Sequence, residues 1–349
     1  MGETGTHIDM NGKVALVTGG TGTVGSGIVR RLLETGVDGI RIFSRDEHKQ
    51  YELRHELHDE SRLRFLIGDT RDLRRLRRAV AGVNVIFHAA AMKHVLSCEY
   101  NPFEAVRTNI VGTQNVIDAA LDAGVERVLF ASSDKAVNPT STMGTSKLMA
   151  EKLMSAADVF RGDHPTIFTT VRFGNVIGSR GSVVPLFLRQ IAAGGPMTIT
   201  DRRMTRFIMS LEHAVDLMFT ALGLARGGEV FVLKMPVLRI EDLASLLRDH
   251  VAALHGWGAD EIAIEEIGQH VGEKVAEELL TEEERARALE TDEMFIIPPQ
   301  LSALHPERVR YEYEGARPVR NGARSDAATA MTRDELYELL VSTNLLAPL

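Results

Sequence analysis

Ser133, Asp134 and Lys135 stand side by side, and Lys147 follows after a short loop. A hydroxyl, a carboxyl and two amines in one short stretch suit proton transfer, which needs a donor and an acceptor close together with tuned pKa values. Met143 and Lys147 are four residues apart and share one helix face. The stretch 128–152 reads as an apolar strand over 128–132, the Ser-Asp-Lys triplet, a Pro/Asn/Ser/Thr loop, and a helix. Functional groups of parallel α/β sheets gather outside the carboxyl ends of strands. The plain alternative is a polar loop with a surface lysine.

A second constellation opens the chain. The apolar run 14–17 leads into Thr18-Gly19-Gly20-Thr21-Gly22-Thr23-Val24-Gly25, and a helical pattern follows to Gly36. Glycines between a strand and a helix N-terminus let backbone N–H groups approach a pyrophosphate, and the helix dipole favours the anion. Gly19, Thr21, Gly22, Thr23, Val24 and Gly25 are therefore candidate dinucleotide contacts. A second strand, 40–43, ends in Ser44-Arg45-Asp46, with Lys49 a turn later. An acidic residue at this place serves the ribose 2′-hydroxyl of NAD. Arg45, with Ser44 and Lys49, instead suits a 2′-phosphate, so NADP is expected over NAD, with Asp46 the alternative ribose contact.

The elements that position these groups alternate. Strand 63–68 ends at Asp69, placed to meet an adenine amine. Strand 83–87 runs into His88 and then Ala89, Ala90 and Ala91, small enough for a cofactor to pass closely. Lys93 lies on the loop expected to overhang the nicotinamide, and a long helix carries Asn109, Gly112 and Asn115. Strand 167–173 closes the series. Strand–helix alternation over 12–178 predicts a doubly wound parallel α/β sheet, here a dinucleotide-binding domain. Residues 1–11 read as a flexible arm. Residues 179–349 read mainly as a smaller lobe over the substrate, with some segments packing back on the first domain. There Arg202, Arg203 and Arg206 suggest a diphosphate or uronate partner, against plain surface arginines. Ser210 is expected to cap a helix reaching about 225, with further elements at 230–233, 240–253 and 262–267. From 281 onward a charged helix, a strand and a Gly/Ala/Arg-rich stretch over 315–328 are expected.

The composition excludes several classes. The chain has 349 residues and is 44% hydrophobic, enough for a large core. A net charge of −8 argues against nucleic acid, and the basic run 71–78 reads as an amphipathic helix face. No apolar run reaches the roughly 20 residues of a membrane span. The first thirteen residues lack a signal-peptide pattern, and the single cysteine, Cys98, suits a reducing setting. A cytoplasmic protein is expected. The histidines have no compact ligand spacing, so no metal is expected.

With these pieces assembled, the chain resembles the extended short-chain dehydrogenase/reductases, and within them the UDP-N-acetylglucosamine 4,6-dehydratases of the polysaccharide-biosynthesis type. The resemblance is carried by TGGTGTVG at 18–25, HAAAMKHV at 88–95, SSDKAVNPTSTMGTSKLMAEK at 132–152, VRFGNVIGSRGSVVPLF at 171–187, ITDRRMTRFIMSLEHAVDL at 199–217 and GEK at 272–274. It covers nearly the whole chain to about 280. It implies a Rossmann-type fold, a UDP-sugar substrate and a homo-oligomer, dimer or hexamer. It also implies substrate contacts at Lys93, Asn175, Arg180, Val183, Thr200, Arg202, Arg206, His270 and Glu273. Met143 stands where the superfamily carries Tyr, as in a subset of these dehydratases. His270 stands where the family commonly has Arg.

The chemistry implied is oxidation at C4 by bound NADP, loss of water across C5 and C6, and return of hydride to C6. Lys135, kept neutral by burial and nearby positive charge, is the expected base at C5. Protonated Asp134 is the acid. Lys147 holds the ribose and acidifies the C4 hydroxyl, which Ser133 binds. Met143 packs as an apolar wall. The acceptor of the C4 proton stays open among Lys135, Asp134 and a water. A nucleotide-sugar 4-epimerase is the first alternative, although it has no use for an acid–base pair at C5 and C6. A non-catalytic nucleotide-sugar or NADP-binding protein is the second.

Overall fold

A computed structural model describes residues 8–301, 311–320 and 323–346. Most of the expected arm, 1–7, and part of the Gly/Ala/Arg-rich stretch, 321–322, lie outside the described residues. Six parallel strands form the frame: β1 (Val14–Thr18), β2 (Gly39–Ser44), β3 (Leu63–Ile67), β4 (Val85–His88), β5 (Arg127–Ala131) and β6 (Ile167–Arg172). Their order is β3-β2-β1-β4-β5-β6. The order reverses direction between β1 and β4, which opens a crevice there for a ligand. Near-continuous apolar runs make these strands because both faces of the sheet are covered. Ile28, Leu32 and Leu217 pack one face, and Leu76, Val116 and Met154 pack the other.

The chain after 178 is shared between two places. Val230–Leu233 adds to the main sheet parallel to β6, and Met294–Ile297 pairs antiparallel with it. Leu289–Glu290 and Arg317–Pro318 extend the same edge, to ten strands among the described residues. The remaining elements build a second apolar cluster. There the helices Val183–Ala192, Ile240–Val251 and Arg333–Ser342 bury Phe187, Ile191, Leu243, Leu247, Leu336 and Leu340. A three-stranded sheet of Val237–Arg239, Thr205–Met209 and Asn175–Val176 joins this cluster to the reaction side of the main sheet.

Three local differences from the sequence reading have clear causes. The arginine-rich segment after 201 contains a fully buried strand, Thr205–Met209, because Arg206 finds buried acceptors there. The long helix over 102–123 is interrupted by a π-helical turn, Val106–Val111, that carries Asn109. Such turns often mark functional sites. The chain closes on a further helix, Arg333–Ser342, outside the expected elements and opened by a capping box of Thr332 with Glu335.

Candidate active site

One cavity of about 1180 Å³ runs from the glycine turn, past the ends of β1, β4 and β5, to the smaller lobe. At its first end Gly19 has φ +67°, and a Cβ there would sit 2.8 Å from the Ala90 backbone. A Cβ on Gly25 would lie 2.2 Å from the Gly19 carbonyl oxygen. The helix Thr23–Leu33 starts at Gly22, with no side-chain cap and no acidic residue in its first turn. Its first N–H groups are thus left to an anion, and the cradle fits a dinucleotide pyrophosphate. Thr21, Thr23 and Val24 line the same wall.

At the far end of that wall, Ser44 is buried and accepts from Gln50 Nε2 at 3.0 Å. Arg45 is exposed and reaches Asp69 Oδ2 at 3.5 Å. Asp69 is gripped by Arg71 at 2.6 Å; burial alone would raise its carboxyl, but Arg71 outweighs burial and holds it low. Asp46 is engaged at home. It caps the helix Glu47–Glu56 through the Lys49 N–H and pairs with Lys49 Nζ at 2.9 Å. Arg45 and Lys49 line the cavity.

The loop with Ala89, Ala90, Ala91 and Lys93 is pinned by Asn109. Asn109 Oδ1 accepts from the Met92 N–H at 2.7 Å, and its Nδ2 donates to the Met92 carbonyl at 3.0 Å and to Ser146 Oγ at 2.8 Å. Asn109 therefore shapes the cavity wall rather than forming its surface. Lys93 Nζ donates to the Arg180 carbonyl at 2.7 Å, joining this loop to the smaller lobe.

At the end of β5, Ser133 starts a short 3-10 turn, Asp134–Ala136. Ser133 Oγ donates to Asp134 Oδ1 at 2.9 Å. Asp134 is fully buried, and its Oδ2 has no hydrogen-bond partner. Lys135 Nζ donates to Asp134 Oδ1 and Asn175 Oδ1, both at 3.1 Å, and lies 3.6 Å from Glu277 Oε1. Burial opposes the charge on Lys135, but Asp134 and then Glu277 outweigh burial and the repulsion of Arg206, so its pKa is raised. This corrects the expectation of a neutral Lys135. The two carboxylates hold it as an ammonium in the resting site.

Lys147 behaves in the opposite way. It is buried, donates to the Ala131 carbonyl at 2.9 Å and sits 4.6 Å over the Phe130 ring. Burial lowers its pKa to about 8, with Glu151 and Cys98 only partly offsetting it. Met143 is 3% exposed, packs with Cys98 and Ala105, and lines the cavity as apolar surface.

On the smaller lobe Asn175, Arg180, Val183, Thr200, Arg206, His270 and Glu273 also line the cavity. Val183 opens its helix, and the preceding Ser182 makes no side-chain cap bond. His270 and Glu273 are tied together by a bond from the His270 N–H to Glu273 Oε2 at 3.2 Å. Arg202 is not brought to this wall. Its guanidinium is engaged by Glu241 and the Ile264 carbonyl. Arg203 pairs with Asp201 on the exposed side. Glu277 also lines the cavity, although it lies beyond the last motif, 272–274, and was not among the expected site residues. Only burial separates it from its neighbour Glu278, and an acidic pair after an apolar step carries no signal of which member turns inward. Among the described residues no group of three or more His, Cys, Asp and Glu could hold a metal ion, and no helix is long and apolar enough to cross a membrane.

Comparison with known proteins agrees with this architecture. The family described as "Polysaccharide biosynthesis protein" matches residues 15–299. A UDP-N-acetylglucosamine 4,6-dehydratase (inverting) of Campylobacter jejuni is 41% identical over 299 residues, 85% of this chain and 86% of that one. A UDP-glucose 4-epimerase of Rickettsia rickettsii is 40% identical over 334 residues, 95% of this chain and 96% of that one. The X-ray structure of Pen from Bacillus thuringiensis superposes with a TM-score of 0.88 at 44% identity, covering 96% of this chain and 99% of that one. The structure of DesIV, a dTDP-glucose 4,6-dehydratase from Streptomyces venezuelae with NAD and TYD bound, gives 0.68 at 25% identity over 75% of this chain and 86% of that one.

Proposed function

The chain belongs to the polysaccharide biosynthesis protein family and is a nucleotide-sugar enzyme of the dehydratase/epimerase type in the short-chain dehydrogenase/reductase superfamily; from that premise we propose that it is a UDP-N-acetylglucosamine 4,6-dehydratase. One observation carries the choice of dehydration: Ser133 and Lys135 at the cavity wall are both bonded to Asp134, buried behind them, in a chain of hydroxyl, carboxylate and ammonium. Oxidation and reduction at C4 alone require one group to take and return the hydroxyl proton, not an acid–base pair. Removing a proton from C5 and a hydroxide from C6 requires both a base and an acid.

A nicotinamide cofactor, held by the glycine cradle at 19–25 and by Lys147, would supply a reversible hydride acceptor for C4 and hydride donor for C6. The protein handles the protons. Ser133 holds the C4 hydroxyl and passes its proton to Asp134, 2.9 Å away. Protonated Asp134, buried behind the wall, then returns it through Ser133 Oγ to the departing C6 hydroxyl, which leaves as water. Lys135 takes the C5 proton, made acidic by the C4 ketone, and returns a proton to C5 as hydride reaches C6. Before the first turnover Lys135 loses to solvent in the cavity the proton that Asp134 and Glu277 hold on it. Lys147, poised near neutrality, binds the ribose and stabilises the developing negative charge at the C4 oxygen. Met143 takes no proton.

We assign the cofactor as NADP. Arg45 and Lys49 at the cavity wall support a 2′-phosphate, and the capping role of Asp46 leaves it poorly disposed to a ribose diol. DesIV holds NAD, and NAD is the alternative here. Asn175, Arg180, Val183, Thr200, Arg206, His270 and Glu273 are assigned to the UDP-sugar.

The second reading is a 4-epimerase, favoured by the names of the Rickettsia relatives. Incubation with UDP-N-acetylglucosamine in D₂O, followed by NMR, separates the two. A 4-keto-6-deoxy product with deuterium at C5 is expected. A galacto-configured product without deuterium would establish the epimerase and remove the roles given to Asp134 and Lys135.

A further inference from the structure

Glu277 lies outside every motif that the sequence singles out, yet it is 2% exposed and lines the cavity. Its Oε1 stands 3.6 Å from Lys135 Nζ and 3.9 Å from Arg206 Nε. Its other oxygen, Oε2, is buried without a hydrogen-bond partner. A buried carboxylate oxygen lacking a partner is costly, and such a cost persists where charge serves a site. The backbone is built to keep it there. The Glu277 N–H donates to Ser325 Oγ at 2.8 Å, and its carbonyl accepts from the Ser325 N–H at 2.9 Å. Ser325 Oγ meets Thr205 Oγ1 at 2.7 Å, and the Val275 carbonyl accepts from the Thr205 N–H at 3.1 Å. A segment remote in sequence is thereby docked against the buried strand Thr205–Met209, with one carboxylate turned to Lys135.

We propose that Glu277 is a positioning residue for proton transfer: with Asp134 and Asn175 it fixes Lys135 Nζ at the cavity wall and sets how readily that amine gives up its proton. The proposal rests on the proton-handling role given to Lys135 above. The charged groups facing Lys135 are Asp134 on its own turn, Glu277 from the docked segment and Arg206 from the strand Thr205–Met209; Asn175 is neutral. Both carboxylates favour the ammonium, and Arg206 opposes it. The device gives opposite signs for its two outer members, which simple packing does not.

The test reads Lys135 without turnover. The full-length protein is briefly dimethylated with formaldehyde and cyanoborohydride across a pH series, and labelling of Lys135 is followed by peptide mass spectrometry. Only the neutral amine reacts. Glu277→Gln is expected to move the labelling curve down by about one pH unit, roughly tenfold more label at a fixed pH below the midpoint. Arg206→Gln is expected to move it up, and Glu277→Asp to stay near the wild type. Wild-type curves for both Glu277→Gln and Arg206→Gln would overturn the proposal. If Glu277→Gln does not fold by circular dichroism, Arg206→Gln decides, and the lack of an upward shift overturns it. In turnover, Glu277→Gln is expected to move the acid limb of the kcat profile down with KM little changed. A wild-type kcat profile in that variant would overturn the role in turnover. No turnover of any nucleotide sugar by the wild type would count against the dehydratase reading, and the labelling curves would still decide Glu277.

Discussion

Arg172 and Glu151 meet in a buried ion pair, Nη2 to Oε2 at 2.6 Å, with the two side chains 0% and 3% exposed. Arg172 is the last residue of β6, and Glu151 lies on the helix Thr142–Phe160 that carries Met143 and Lys147. Glu284 clasps the same guanidinium from the other side at 2.9 Å, and Glu151 also accepts from Ser132 Oγ at 2.5 Å. The pair thus locks the strand end before Ser133 to the helix that bears the second amine.

Replacing Arg172 leaves two buried carboxylates without their cation. Arg172→Met is expected to cost about 3–5 kcal/mol in urea unfolding, because breaking a buried pair strands the remaining charge. Burial would raise the Glu284 carboxyl, but Arg172 overrides burial and lowers it to about 2. A depressed carboxyl stabilises the fold above its ordinary value of 4.5 and loses that contribution as pH falls toward 2. The variant is therefore expected to lose less stability than the wild type over that acid range. An equal loss in both proteins would argue that Arg172 does not hold Glu284.

Lys147 gives a pH dependence of the same sign at the alkaline end. Its pKa falls from 10.5 to about 8 on folding, chiefly by burial. Between those values the unfolded chain binds the proton and the folded chain does not, so this residue makes stability rise with pH there. The wild type is expected to gain on the order of 2–3 kcal/mol relative to Lys147→Met between pH 7.5 and 10.5. Parallel urea midpoints for the two proteins across that range would contradict it.

The cradle at the first helix admits a sharp steric test. Gly25→Ala puts a methyl group 2.2 Å from the Gly19 carbonyl oxygen, so backbone must move. A stability loss of about 1–3 kcal/mol is expected, the usual cost of overpacking. Calorimetric titration with NADP⁺ is expected to show loss of binding. Retained affinity would place the dinucleotide elsewhere.

Arg45 separates the two cofactors. Arg45→Ala is expected to weaken NADP⁺ by about tenfold or more, the value of one hydrogen bond to a charged group, and to leave NAD⁺ nearly unchanged. Equal weakening of both would mean that Arg45 serves the shared part of the cofactor, and the NADP assignment would fall.

The sequence by itself determined the frame. Apolar runs that end in glycine, alanine or Ser-Asp-Lys specified six parallel strands and which of their ends carry chemistry, since a strand and the turn after it are local. It also specified the cradle, because Gly19 and Gly25 act on neighbours within a few residues. The protonation of that chemistry was not local. Asp134 alone is adjacent to Lys135, whereas Glu277, Asn175 and Arg206 arrive from the docked segment and two other strands, and it is the two carboxylates, outweighing burial and Arg206, that make Lys135 a resting cation. Arg202 and Arg206 look alike in the chain. Only the packing of Thr205–Met209 turns Arg206 inward, while Glu241 draws Arg202 away. Through-space electrostatics and burial depend on which segments fold together, and that information exists only in the tertiary structure.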